Sequence, residues 1–190
     1  MTQSTSSIQL RYVALAGAIL AACIGVLIWM GQPAICKCGF IKLWHGVVVS
    51  SENSQHITDW YSPSHFIHGL LFYGALAWLL GSISVGARLS IAMLVESVWE
   101  IFENTDFIIN RYREATIALD YFGDSVLNST SDILFMVIGF IVAWRAPIWL
   151  SVLLILVLEL TVGFIIRDNL TLNIIMLLYP VEAIKTWQMG

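Results

Sequence analysis

Glu96, Glu100 and Glu103 recur at i, i+4 and i+7 in the stretch LVESVWEIFEN. On an α-helix that spacing puts three carboxylates on one stripe about two turns long. Asp124, Asn128 and Asp132 repeat the pattern at i, i+4 and i+8, and His65 and His68 sit one turn apart. Carboxylates and imidazoles together can bind a divalent metal ion, whose bound water loses its proton near neutral pH. In that reading His65, Glu100 and Asp124 are the ligands, His68 is a reserve ligand, and Glu96 or Asp132 is the general base. Arg111, Arg113 and Arg167 could grip a phosphate headgroup bidentately, or pair with Asp106, Glu114, Asp120 or Asp168. A metal-free alternative has Asp124 and Asp132 sharing one proton as a carboxyl dyad. No Ser-His or Cys-His nucleophile pattern competes with these.

The elements that must carry these residues are apolar. Of 190 residues 58% are hydrophobic and only 12% charged, and the mean hydropathy is +0.82, whereas soluble domains carry about 25% charged residues. The composition describes a membrane protein, and a net charge of -4 with no basic patch excludes nucleic-acid binding. The expected fold is all-α, a polytopic bundle of five to six transmembrane helices in a single integral membrane domain over 1-190. The spans are expected at 12-30, 62-80, 87-104, 126-144 and 148-166. The segment 170-185, interrupted by Pro180, is either a thin sixth span or a re-entrant helix. Trp29, Trp60, Trp78, Trp144, Trp149 and Trp187 fall near the span ends, where indole rings settle at the headgroups. Residues 31-61 and 105-123 read as two long polar loops on the same face.

Counting turns from that face sorts the polar residues into layers: His65, Glu103 and Asp124 at the mouth; His68, Glu100 and Asn128 below; Glu96, Asp132 and Glu159 deepest. The other halves of these helices are nearly all apolar. Because an intramembrane charge costs at least roughly 2.5 to 3.5 kcal/mol unless paired or hydrated, the layers are expected to line one polar cavity, open toward the long loops and blind below. Lysines and arginines divide almost evenly between the faces. The long loops are assigned to the periplasm, with Arg88 and Arg145 in tight cytoplasmic turns.

Three cysteines are too few for a disulfide framework. Cys36 and Cys38 with His45 and His56 could form a zinc site, a local disulfide or two free thiols. LAAC ending at Cys23 has the look of a lipoprotein processing box, but the apolar run continues to Met30 and favours an uncleaved span.

The stretches ICKCGFIKLWHGVVVSSENSQHITDWYSPSHFIHG, ESVWEIFEN, LDYFGDSVLNSTSDI and RDNLTLNIIMLLYP resemble a family of multi-pass inner-membrane proteins of unknown function from alphaproteobacteria. More remotely, the order of the histidine, acidic and aspartate helices is similar to VanZ-like membrane proteins. The resemblance implies a polar-core bundle and no established activity. Four functions are compatible with these residues: interhelical glue, a metal-dependent hydrolase or transferase acting on membrane lipids or lipid-linked substrates, a proton- or cation-coupled transporter, and an accessory subunit docking a protein partner through Trp44, Trp60 and Tyr61.

Overall fold

The computed structural model describes residues 9–116 and 118–190. Five long helices form the body: α1 (Leu10–Trp29), α2 (Ser62–Leu79), α3 (Val85–Glu103), α5 (Val126–Arg145) and α6 (Ile148–Ile166). They coincide within two residues with the five apolar stretches read from the sequence. Three of them, α1, α5 and α6, are long and apolar enough to cross a membrane. A two-residue parallel pairing, β1 (Trp44–His45) on β2 (Thr58–Asp59), ties the first long loop together.

Two segments differ from the sequence reading. The second long loop contains a ten-residue helix, α4 (Asp106–Ala115), capped by the Thr105 side chain accepting from the Ile108 N–H. Its ten residues are too few for a span, which is why a search for apolar length passes over it. The segment 170-185 is not one continuous helix. It splits into α7 (Leu170–Leu178) and α8 (Glu182–Met189) around Pro180, and nine residues rise only about 14 Å.

Helix α2 packs along α5, and α1 along α3. The first pair is drawn together by glycines: a Cβ on Gly69 would stand 2.0 Å from the Met136 carbonyl oxygen, and one on Gly139 would stand 2.0 Å from the Phe66 carbonyl oxygen. Only the missing side chains let the two backbones touch. Ile133, Met136 and Phe140, all fully buried, then fill the bundle on the side of the short connections, with Leu89, Ala92 and Met93 of α3 against them.

At the other end the long loop 31-61 folds onto the start of α5. The N–H groups of Val126 and Leu127, which have no partner within their own helix, donate to the carbonyls of Pro33 and Ala34. Gln55 Nε2 donates to the Gly123 carbonyl, and Asn128 Nδ2 to the His56 carbonyl. Gly123 has φ +92 and faces Asn104 Oδ1 at 2.8 Å from where a Cβ would sit, so only glycine turns the chain into α5 here.

The surface inverts the usual order. Helix α6 buries only Val162 and presents Leu153, Leu156, Val157, Leu160 and Phe164 outward, while the carboxylates of α3 and α5 face inward.

Candidate functional site

Where α2, α3 and α5 converge toward the long loops there is a cavity of about 380 Å³. His65 and His68 reach it from the first two turns of α2, Glu96 and Glu103 from α3, Asp124 from the loop just before α5, and Asn128 and Asp132 from the first two turns of α5. Helices α4 and α7 close it with Tyr112, Leu170, Asn173 and Ile174. No lysine or arginine is among its lining residues. Its far wall is apolar, formed by Leu71, Phe72, Val95 and Trp99. Leu71 and Val95 line the cavity yet remain 48% exposed each, so the apolar wall reaches the outer surface of the bundle between α2 and α3.

The imidazoles converge on one carboxylate. Glu96, fully buried, takes His65 Nδ1 at 2.7 Å and His68 Nδ1 at 3.1 Å. With Nδ1–H donating to Glu96, His65 carries its lone pair on Nε2, which lies 3.8 Å from Asp132 Oδ2. Glu100 stands beside the same ring, with Oε1 3.4 Å from His65 Nδ1. Glu100 is fully buried, and among the described residues neither of its oxygens has a hydrogen-bond partner; Asp132 Oδ1 also lacks one there. Buried acceptors without partners cost about 1 to 3 kcal/mol each, and more when charged.

Asp124 is held differently. Tyr121 O–H donates to its Oδ1 at 3.0 Å, Asn104 Nδ2 donates to Oδ2 at 3.3 Å, and its own N–H donates to Asn104 Oδ1. Burial lifts the Asp124 carboxyl to about 7 despite these donors. Burial and the neighbouring Asp124 raise the Tyr121 phenol well above its ordinary value, which keeps the donor proton in place.

These residues sort into overlapping groups whose ligand atoms lie within 4.8 Å of one another: His65, His68 and Glu96; His65, Glu100 and Asp132; Glu100, Glu103 and Asp124. The expected set of His65, Glu100 and Asp124 is divided between the last two groups. Asp124 and Asp132, the expected dyad, fall in different groups, each beside Glu100. The layers are corrected too. His65, expected at the mouth, meets Glu96, expected in the deepest layer, and His68 shares the same carboxylate.

Glu159 is outside the cavity. Its two oxygens accept from the Leu170 and Thr171 N–H groups at 3.0 Å each and cap α7. The arginines likewise serve backbone carbonyls: Arg111 donates to Leu177 and Leu178, Arg113 to Tyr121 and Arg167 to Trp187. Sequence spacing could not foresee this, because the acceptors are backbone carbonyls rather than acidic side chains.

A second group, Cys36, Cys38, Glu52 and His56, also has ligand-like spacing, but Cys36 and Cys38 are joined in a disulfide. His56 Nδ1 accepts the Lys42 backbone N–H, which leaves the proton on Nε2 facing Glu52 and no lone pair for a metal. The zinc reading of Cys36, Cys38, His45 and His56 therefore gives way to a cross-linked loop. Cys23, the candidate for lipidation, is packed into α3 with its sulfur 3.7 Å from the Ser97 carbonyl oxygen.

Residues 27–190 match a family described as "Protein of unknown function (DUF2585)". The chain is similar to UPF0314 proteins along most of its length. It is 59% identical to one from Paracoccus denitrificans over 162 residues, which is 85% of this chain and 84% of that protein. Against one from Sinorhizobium fredii the identity is 57% over 178 residues, 90% of each chain. Against one from Agrobacterium fabrum it is 49% over 186 residues, 97% of this chain and 93% of the other. No solved structure matches significantly.

Proposed function

We propose that this chain, which belongs to the DUF2585 family of proteins of unknown function, is a multi-pass inner-membrane hydrolase or transferase that uses a divalent metal on a lipid or lipid-linked substrate. The observation that carries the reading is Glu100: a fully buried carboxylate with two unpartnered oxygens, beside an imidazole already fixed in the tautomer that leaves Nε2 free. A metal ion would give His65, Glu100 and Asp132 the partner they lack and would supply an acidified water. Glu96 then acts through the histidines, orienting His65, which replaces the expectation that it is a free base. His68, backed by Glu96 and facing the cavity, is the proton acceptor in this assignment.

The membrane assignment is supported by the inverted surface, with apolar side chains outward and carboxylates inward, since an exposed helix such as α6 has no favourable solvent but lipid. The Cys36–Cys38 disulfide supports an oxidising compartment for the long loops, hence the periplasm. The two-sided cavity supports an amphiphilic substrate. Its polar wall suits a headgroup, and its apolar wall reaches the bundle surface at Leu71 and Val95, where an acyl or isoprenoid chain would enter from the bilayer. The fully buried Ile133, Met136 and Phe140 below weigh against a path through the molecule, as transport would need.

Elemental analysis of the purified full chain in detergent tests the reading. The wild type is expected to retain a divalent metal after gel filtration, and Glu100→Gln to lose it with its helical circular dichroism intact. A deletion strain is expected to accumulate a lipid that wild type clears and Glu100→Gln does not. Metal-free wild type, together with a Glu100→Gln protein that restores the deletion strain fully, overturns the proposal.

A further inference from the structure

Resting on the metal-dependent reading above, we infer that the centre holds two divalent cations bridged by Glu100, and that this pair receives a phosphate headgroup. Two ligand groups, His65–Glu100–Asp132 and Glu100–Glu103–Asp124, share only Glu100. Both Glu100 oxygens are buried and unpartnered, so each is free to face a different ion. This is the arrangement of bridged two-metal sites, whose ions stand about 3.5–4 Å apart. The second group is built as firmly as the first: Tyr121 and Asn104 each donate to one Asp124 oxygen and fix its direction. Its donors are all oxygen, which suits Mg²⁺ or Mn²⁺, while the imidazole of the first group accepts Mn²⁺ or Zn²⁺ equally well.

Charge makes the same argument independently. Glu96, Glu100, Glu103, Asp124 and Asp132 bring five carboxylates together, and neither lysine nor arginine lines the cavity. Deprotonated as ligands, the five carboxylates would carry five negative charges, of which one divalent ion offsets two and a pair offsets four. The same deficit of cationic side chains decides how an anionic head could enter. Without the ions a phosphate would be repelled by the carboxylates of that wall, Glu96, Glu103, Asp124 and Asp132, and with both present it has two adjacent positive centres, while the apolar wall takes the lipid chain.

The test uses full-length protein in detergent micelles, stripped with chelator and re-equilibrated with Mn²⁺. Two Mn²⁺ per chain with a spin-coupled paramagnetic resonance spectrum are expected in the wild type, and one uncoupled ion in Asp124→Asn. Should that variant fail to fold, Tyr121→Phe removes only the hydroxyl on Asp124 and is expected to weaken the second ion about tenfold. Inorganic phosphate is expected to raise the melting temperature of the two-ion form and leave the one-ion variant unchanged. A single uncoupled ion in the wild type overturns the pair but leaves the one-metal reading standing. No bound ion overturns the pair, and together with a Glu100→Gln protein that restores the deletion strain it overturns the one-metal reading as well. Two coupled ions with no response to phosphate overturn the headgroup assignment.

Discussion

His65 shows how much one hydrogen bond decides. Its sequence position marks it as a ligand candidate, but an imidazole is a useful ligand only when the right nitrogen is free. The 2.7 Å contact to Glu96 settles that choice by accepting a hydrogen bond from Nδ1–H. His56, identical in chemistry, is held the opposite way by the Lys42 backbone N–H and becomes a structural group. The difference is invisible in the sequence, because it depends on which partners a ring meets across 31 and 14 residues of chain. At this scale the loop cluster of Lys42, Glu52 and His56 makes a pH prediction. The Lys42 ammonium and the His56 ring beside Glu52 hold its carboxyl down at about 2, below its ordinary 4.5. A carboxylate held low in the folded state stabilises fully above its unfolded value and loses that contribution as pH falls toward the folded one. Loop 31-61 should therefore become sensitive to pepsin as pH drops from 4.5 to about 2. Lys42→Met should be cleaved readily across that whole range, and an unchanged acid profile in that variant would contradict the assignment.

At the scale of elements, the site depends on how closely α2 and α5 approach. His65 and Asp132 belong to these two helices and meet only because Gly69 and Gly139 leave room for backbone contact. Gly139→Ala forces a methyl to within 2.0 Å of the Phe66 carbonyl and should destabilise by about 1–3 kcal/mol or more, losing metal with the helix spacing. Gly74→Ala, on the same α2 but with nothing within 4 Å of its Cβ position, should be neutral or stabilising by up to about 1 kcal/mol. Thermal melts and metal content of the two variants in one detergent check the contrast; equal losses would mean that the helices are not set by glycine contact. The short helices α4, α7 and α8 also belong to this scale. Helices α4 and α7 close the cavity, and Arg111 and Lys185 stitch α4 to the last turn of α7 and to α8 through the carbonyls of Leu177 and Glu114.

For the molecule as a whole, the decisive property is inversion: an apolar exterior on α1 and α6 surrounding an acidic interior that faces one end. The proposed topology puts Ser51 outside the cell membrane and Pro147, in the α5–α6 turn, inside. In a Cys23→Ala background, a membrane-impermeant maleimide should label Ser51→Cys in intact spheroplasts and Pro147→Cys only after permeabilisation. The reverse pattern would invert the orientation, and labelling of both without permeabilisation would overturn the crossing.

The sequence by itself determined the helices and the chemistry available to them. Long, predominantly apolar runs mark α1, α2, α3, α5 and α6, and the acidic residues at i, i+4 spacing mark the polar faces of α3 and α5. Only the tertiary structure decided the pairings. It joined both histidines to Glu96, divided the acids into two groups around Glu100, sent Glu159 to cap α7 and gave the arginines to backbone carbonyls. The physical reason is range. Helical periodicity is a local property written in neighbouring residues, whereas a partner across the bundle depends on helix spacing, rotation and chain turns, which glycine contacts and loop capping set far from the residues they bring together.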